Sequence, residues 1–223
     1  MQQEVFSFHQ MERLDWNGFI EGEENRDAIL CLIKWPDWNS NGVIIHGESG
    51  TGKTHLAALW AQTANAVYVL KESLNHDPRD LFEAECNFVI DNFDDFLSPE
   101  RYDWMFHFLN IIKEKNKFFL MLGRLHPSLF AVELKDLRSR LLTLPTINIC
   151  APKDELLLKI SQKIAKDLEI TISNDVLVYI LNVVDRKVSS IANILRVLDK
   201  LSLQQKKSLS MSFVKDHLRI LDA

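Results

Sequence analysis

Gly47-Glu48-Ser49-Gly50-Thr51-Gly52-Lys53-Thr54 decides how this chain is read. The stretch has the form G-x-x-x-x-G-K-[ST], a phosphate-binding loop. It follows directly on the apolar run Val43-Ile44-Ile45-His46 and leads directly into the helical pattern His55-Leu56-Ala57-Ala58-Leu59-Trp60. Strand, glycine-rich turn and helix form the context that separates this motif from a glycine turn that happens to hold a lysine. The glycines allow backbone N–H groups to turn inward around phosphates. The helix N-terminus adds a partial positive charge at the same place. Lys53 is expected to reach the β- and γ-phosphates, and the Thr54 hydroxyl to ligate Mg²⁺. Nucleotide binding, as ADP or ATP with Mg²⁺, is the expectation that the loop sets.

Working outward, four more short apolar runs follow: Ala66-Val67-Tyr68-Val69-Leu70, Asn87-Phe88-Val89-Ile90-Asp91, Phe118-Phe119-Leu120-Met121-Leu122 and Thr146-Ile147-Asn148-Ile149-Cys150. Each is too short for a helix and nearly continuous in apolar character. Helical patterns lie between them, notably Tyr102 to Lys115 with Met105, Phe108, Leu109 and Ile112 on one side. Gly22 to Trp35 also reads as a helix, and Trp35-Pro36-Asp37-Trp38-Asn39-Ser40-Asn41-Gly42 as a loop. Strands alternating with helices predict a parallel sheet covered on both faces. After Pro152 only helical periodicity remains, over about 153–167, 174–184, 187–203 and 211–221. The stripe Val188, Ile191, Ile194/Leu195, Leu198 and Leu201 reads as core packing. The predicted organisation is a mixed, extended tail over 1–20, an α/β nucleotide-binding domain over 21–151 and a helical lid over 152–223.

Composition narrows the function classes. The chain has 223 residues, 47% hydrophobic and 26% charged, which is ordinary for a soluble globular protein. A net charge of −5 argues against a chain that wraps nucleic acid by itself, since non-specific affinity needs clustered Lys and Arg. Cys31, Cys86 and Cys150 are far apart and show no metal-ligand spacing or disulfide framework. The polar N-terminus has no signal-peptide h-region, and no apolar run reaches membrane-spanning length. A cytoplasmic protein without a membrane segment is expected.

Two further elements complete the chemistry. Asp91 ends a buried-strand pattern, where phosphate-loop enzymes hold Mg²⁺, usually through water. In many ATPases of this layout the next residue is a glutamate that polarises the attacking water. Here it is Asn92, whose amide accepts no proton at neutral pH, so weak self-hydrolysis is expected. Asp94 and Asp95 read as solvated or as helix caps. Arg138 and Arg140, in Asp136-Leu137-Arg138-Ser139-Arg140-Leu141, stand just before the last strand. An arginine there can point out of its own subunit, and its planar, always-charged fork suits transition-state charge on a phosphoryl group.

These segments together resemble the AAA+ ATPases of the DnaA branch, and within it the Hda family of replication regulators in its alphaproteobacterial form. The resemblance rests on Trp35-Pro36-Asp37-Trp38, His46 through Ala57, Ile90-Asp91-Asn92, Asp136 through Leu141, Ala151-Pro152-Lys153-Asp154 and the helices after it. It implies an AAA+ fold with a five-stranded parallel sheet of order 5-1-4-3-2 and a helical lid. It implies that Arg140, in Ser139-Arg140-Leu141, is an arginine finger acting in trans on DnaA-bound ATP. It further implies docking on the DNA polymerase sliding clamp (β subunit) through a short N-terminal peptide, here Gln3, Phe6 and Phe8 in Gln3-Glu4-Val5-Phe6-Ser7-Phe8, with Glu4 departing from the pattern. The role implied is negative regulation of DNA replication initiation. Self-association as a homo-oligomer stays open.

The chain departs from the family at its sensors. The strand 118–122 should end in a small polar residue, but Gly123-Arg124 follows, and Arg124 either contacts phosphate or is solvated. The lid helix should open on an arginine. The apolar stripe aligns Ser189 with that place and leaves Arg186 a turn earlier, so Arg124 and Arg186 are the candidate sensors. Ala223 falls within or just after the lid, so an autonomous DNA-binding domain of helix-turn-helix type is not expected. Two other readings stay open: a DnaC-like helicase-loading ATPase, and a nucleotide-free adaptor between clamp and DnaA.

Overall fold

The computed structural model describes residues 16–221. The candidate clamp-binding residues Gln3, Phe6 and Phe8 lie outside that range. A short 3₁₀ turn at Trp16–Gly18 precedes α1 (Arg26–Ile33). The α/β part then runs β1 (Gly42–His46), α2 (Lys53–Ala64), β2 (Ala66–Tyr68), β3 (Asn87–Ile90), α3 (Tyr102–Glu114), β4 (Phe119–Gly123), α4 (Lys135–Thr143) and β5 (Thr146–Asn148). Four helices follow: α5 (Asp154–Asp167), α6 (Asn174–Val183), α7 (Val188–Gln205) and α8 (Met211–Leu221).

All strand pairs are parallel, and the sheet order is β2-β3-β4-β1-β5. Read from the other edge this is 5-1-4-3-2, as the resemblance implied. The central strands are the most continuously apolar, and every residue of β4 is buried. One face packs Met105, Phe108, Leu109 and Ile112 of α3, with Leu137 and Leu141 of α4. The other packs α1 and α2 around the fully buried Trp60. Because β1 and β4 are covered on both sides, their side chains need no polar alternation. Parallel register brings the C-terminal ends of β1, β3 and β4 to one edge, where Gly47, Asp91 and Arg124 continue the chain. That edge is where open α/β sheets hold ligands.

The lid helices make their own core from Leu157, Leu177, Ile180, Ile191, Leu195, Leu198 and Val214. The α7 stripe does pack inward, with Ile191, Leu195 and Leu198 buried. Element ends differ from the pattern reading for local reasons. The helix expected over 22–35 narrows to Arg26–Ile33. Its N-terminal side is a bracket: Asn25 Oδ1 accepts the Gly22 N–H at 2.9 Å and Asn25 Nδ2 donates to the Ile20 carbonyl at 3.0 Å. Its C-terminal side stops ahead of Trp35-Pro36, where helical backbone is disfavoured. After β2 the chain coils into 3₁₀ turns at Lys71–Asn75 and Pro78–Glu83, which the apolar pattern did not announce.

Candidate functional site

The loop after β1 folds tightly and opens toward solvent. Gly50 and Gly52 sit at φ +85° and +94°, in the left-handed region that side chains disfavour. The Thr51 hydroxyl donates to the Glu48 carbonyl at 3.0 Å and closes the turn. Lys53 Nζ folds back and donates to the Gly47 and Glu48 carbonyls at 2.7 and 2.8 Å. Its ammonium is thus held by neutral oxygens. Burial lowers its pKa from the usual lysine value, and the nearby Asp91 and Asp94 offset part of that. An anion delivered to the loop would relieve the unbalanced charge.

Thr54 Oγ1 donates to Asp91 Oδ2 at 2.9 Å, so the hydroxyl and the strand-end carboxylate share one spot. Asp91 Oδ1 accepts the Asn92 N–H at 2.8 Å. Burial and the Asp91 charge push the Tyr68 phenol up to about 12. A pocket of about 230 Å³ gathers Lys53, Thr54, Asp91, Asn92 and Arg124 from the sheet side, and Ser189 from the start of α7. Its two cations, Lys53 and Arg124, together with the hydroxyls and loop glycines, suit a phosphate chain.

Gly52 and His55 line this pocket and also a second cavity of about 640 Å³ between the loop, the segment before α1 and the lid. The walls of the second cavity are largely apolar: Phe19, Ile20, Ile149 and Pro152 on one side, Ile160, Ile164, Val188 and Ala192 on the other. Phe19 stands edge-on to His55, ring centroids 5.1 Å apart. A flat apolar body and a phosphate chain, joined at Gly52–His55, describe the space. The lid contributes more than a third of the walls, so occupancy of the cavity is expected to depend on lid position.

Several sequence expectations meet the structure here. Ser49, Gly50, Gly52, Lys53, Thr54, Asp91 and Arg124 converge on the phosphate-type pocket, Thr51 lines the apolar cavity, and Glu48 is exposed. Arg186 does not join them, because it forms an ion pair with Asp154 at the start of α5. Its neighbour Lys187 takes the place beside the loop, and a Cβ on Gly50 would meet the Lys187 stem at 2.9 Å.

Asp94 is a correction. It is neither solvated nor a cap: it is half-buried, and its Oδ2 accepts the Arg124 N–H at 2.8 Å. Its Oδ1 is buried without a partner, against Gly123, where a Cβ would come within 2.7 Å of it. Burial raises its pKa, the Arg124 N–H opposing. Asp95, in contrast, is exposed and pairs with Lys71 at 2.7 Å. On the inner side of this corner, His46 lies 5.3 Å from His126 and edge-on to it. Burial first, then the His126 and Lys53 charges, lower the pKa of His46.

Arg140 lies away from both cavities. It hydrogen-bonds Asn110 of α3 and lies 4.5 Å from the Phe106 ring centroid. Arg138, on the same helix, is exposed. Sequence reasoning missed the apolar cavity residues because they come from four separate segments with no shared spacing. It missed Phe106 and Asn110 because an amphipathic helix gives no sign of what its outer face holds.

Comparison with known proteins agrees with this architecture. The Hda lid domain family matches residues 154–218. An uncharacterized protein of Haemophilus influenzae is 27% identical over 186 residues, covering 79% of this chain and 80% of that protein. The chromosomal replication initiator DnaA of Wolinella succinogenes is 24% identical over 225 residues, and that of Borrelia garinii subsp. bavariensis 27% over 202. These matches cover 52% and 41% of those DnaA chains, so this chain corresponds to about half of their length or less. In fold, domain III of the Thermotoga maritima DnaA superposes with a TM-score of 0.75 at 18% identity, over 90% of this chain and 93% of that one. AMPPCP-bound DnaA from Aquifex aeolicus gives 0.73 at 19%, over 95% and 71%. With an Hda-type lid, DnaA relatives in sequence and the DnaA domain III fold along nine-tenths of its length, the chain is an Hda/DnaA-related AAA+ protein.

Proposed function

We propose that this protein binds ADP or ATP with Mg²⁺, docks on the sliding clamp, and stimulates hydrolysis of DnaA-bound ATP through Arg140, limiting replication initiation. The observation that carries the reading is the position of Arg140. It lines neither cavity of its own subunit, yet it presents a guanidinium on an outer helix face. Such a group has no phosphate to serve in cis and suits one held by a neighbour.

The site's own chemistry fits the nucleotide. Lys53 is a partly buried cation with only neutral hydrogen-bond partners, and the loop glycines leave the approach above Gly52 open. The Thr54 and Asp91 oxygens form a hard donor pair of the kind that Mg²⁺ accepts, directly or through water. Bound there, the ion would neutralise phosphate charge. Thr54 and Asp91 would orient it, Lys53 would hold phosphate oxygens, and the apolar cavity would exclude water from the base. With Asn92 directly after Asp91, that position carries an amide, which takes no proton from water, and this supports a protein whose own nucleotide persists while it acts on a partner's.

The AMPPCP-bound DnaA relative, of the same fold, supports the nucleotide assignment, and the Hda-type lid supports the regulatory one. Gln3, Phe6 and Phe8 are proposed as the clamp-binding residues on sequence pattern alone. The test of the finger is Arg140→Ala. Stimulation of DnaA-bound ATP hydrolysis is expected to vanish while capture on immobilised clamp persists. Undiminished stimulation would reject the trans-acting role. Capture by the replicative helicase in place of the clamp would favour a helicase-loading role.

A further inference from the structure

Arg140 is half-buried and is held by an amide and an aromatic ring. Its Nη1 donates to the Asn110 side-chain oxygen, and its guanidinium carbon lies over the Phe106 ring. Phe106 and Asn110 are four residues apart on α3 and therefore share one face of that helix. Among the described residues no carboxylate pairs with Arg140. Asp136, four residues earlier on α4, does not reach it. Arg26, Arg79 and Arg186 each meet a carboxylate, Glu21, Asp77 and Asp154 respectively, whereas among the described residues Arg101, Arg124, Arg138 and Arg196 form no such ion pair.

We infer that Asn110 and Phe106 are positioning residues, which hold the Arg140 fork in place without neutralising it. The inference deepens the finger reading above and rests on it. An amide oxygen fixes one N–H of the guanidinium by a directional hydrogen bond, and an aromatic face takes the plane of the cation. Neither carries a formal charge. Asn110 accepts one of the five guanidinium N–H groups, and the positive charge stays available to an incoming phosphoryl group. A carboxylate at 110 would fit the same geometry and cancel that charge. An apolar residue would leave the fork free to wander, and its ordering would then oppose each encounter with the partner's nucleotide. Asparagine is the side chain that satisfies both demands.

The experiment uses the whole protein and two readouts. Asn110→Asp is nearly isosteric and changes charge alone. By NMR titration its introduced carboxyl is expected below the ordinary aspartate value of about 3.9, and back at that value in Asn110→Asp/Arg140→Ala. An unshifted carboxyl in the single variant overturns the geometry. In stimulated hydrolysis of DnaA-bound ATP, Asn110→Asp is expected to lower the saturating rate roughly tenfold or more, with the half-saturating concentration little changed. Phe106→Leu, which keeps bulk and removes the ring face, is expected to lower it about two- to fivefold. If Arg140→Ala abolishes stimulation and Asn110→Asp leaves it whole, the positioning role falls and the finger stands. If Arg140→Ala leaves stimulation whole, the finger falls and the positioning role falls with it.

Discussion

Asp94 shows what a single side chain can contribute that its neighbours in sequence do not announce. Its carboxyl clamps the Arg124 N–H with one oxygen and buries the other without a partner. Burial therefore favours its neutral form, and its pKa in the folded protein lies above the ordinary 3.8. With the folded pKa raised, the stabilising contribution is full below the unfolded value and is lost as pH rises through the folded one. Asp94→Asn, which keeps the acceptor for Arg124, is expected to remove that loss. The melting temperature of the parent should fall relative to the variant as pH climbs from about 3.8 into the range above it. Parallel profiles would show that Asp94 has the same pKa in the folded and unfolded protein. From sequence, Asp94 and Asp95 read as solvated or as helix caps, because charge is normally kept wet. Only the turn Phe93–Phe96 after β3, packed against Gly123 at the end of β4, puts Asp94 under cover. Lys53 and Thr54 were legible because their geometry is local, fixed by a loop of eight residues. Arg186 was not, since its partner Asp154 is distant in sequence.

At the scale of elements, α2 does more than start the loop's helix. Trp60 is fully buried, stacked on Trp38 at 5.3 Å and edge-on to Trp35 at 6.2 Å. The loop with the two other tryptophans is thereby pinned to the helix that begins at Lys53. Trp60→Ala should cost about 3–5 kcal/mol in denaturant unfolding, the range for emptying an aromatic core site. The indole N–H of Trp60 has no partner. Trp60→Phe retains a stacking ring and removes that orphan donor, so it should recover at least half of the loss. Equal damage from both variants would mean that the N–H has a role. The strands and long helices were legible at this scale because a fully covered parallel sheet writes continuous apolar runs. The 3₁₀ turns between β2 and β3 were not, because one-turn elements are too short to leave a period.

For the whole molecule, the consequential feature is the cavity between the α/β part and the lid. Ile160, Ile164, Val188 and Ala192 reach it from the lid, and Phe19, Ile20 and Ile149 from the other side. Ligand binding there should tie the two parts together. ADP at a hundred times its dissociation constant should stabilise the protein by about 2.7 kcal/mol, roughly 5–10 °C in melting temperature for a chain of this size. Lys53→Ala should shrink that shift at the same ADP concentration. An undiminished shift would move the nucleotide elsewhere. The cavity was hidden from the sequence because its walls meet only after folding. The architecture was legible, because phosphate loop, strand-end aspartate and lid periodicity all agree on it. No helix among the described residues is long and apolar enough to cross a membrane.

The most direct test of the central claim is single-turnover hydrolysis of ATP preloaded on DnaA, with and without this protein. It should be run with clamp loaded on DNA, with free clamp, and with neither. Acceleration is expected only with loaded clamp, and is expected to be lost on Phe6→Ala. Equal acceleration without clamp, or none under any condition with active DnaA and clamp, would contradict the claim.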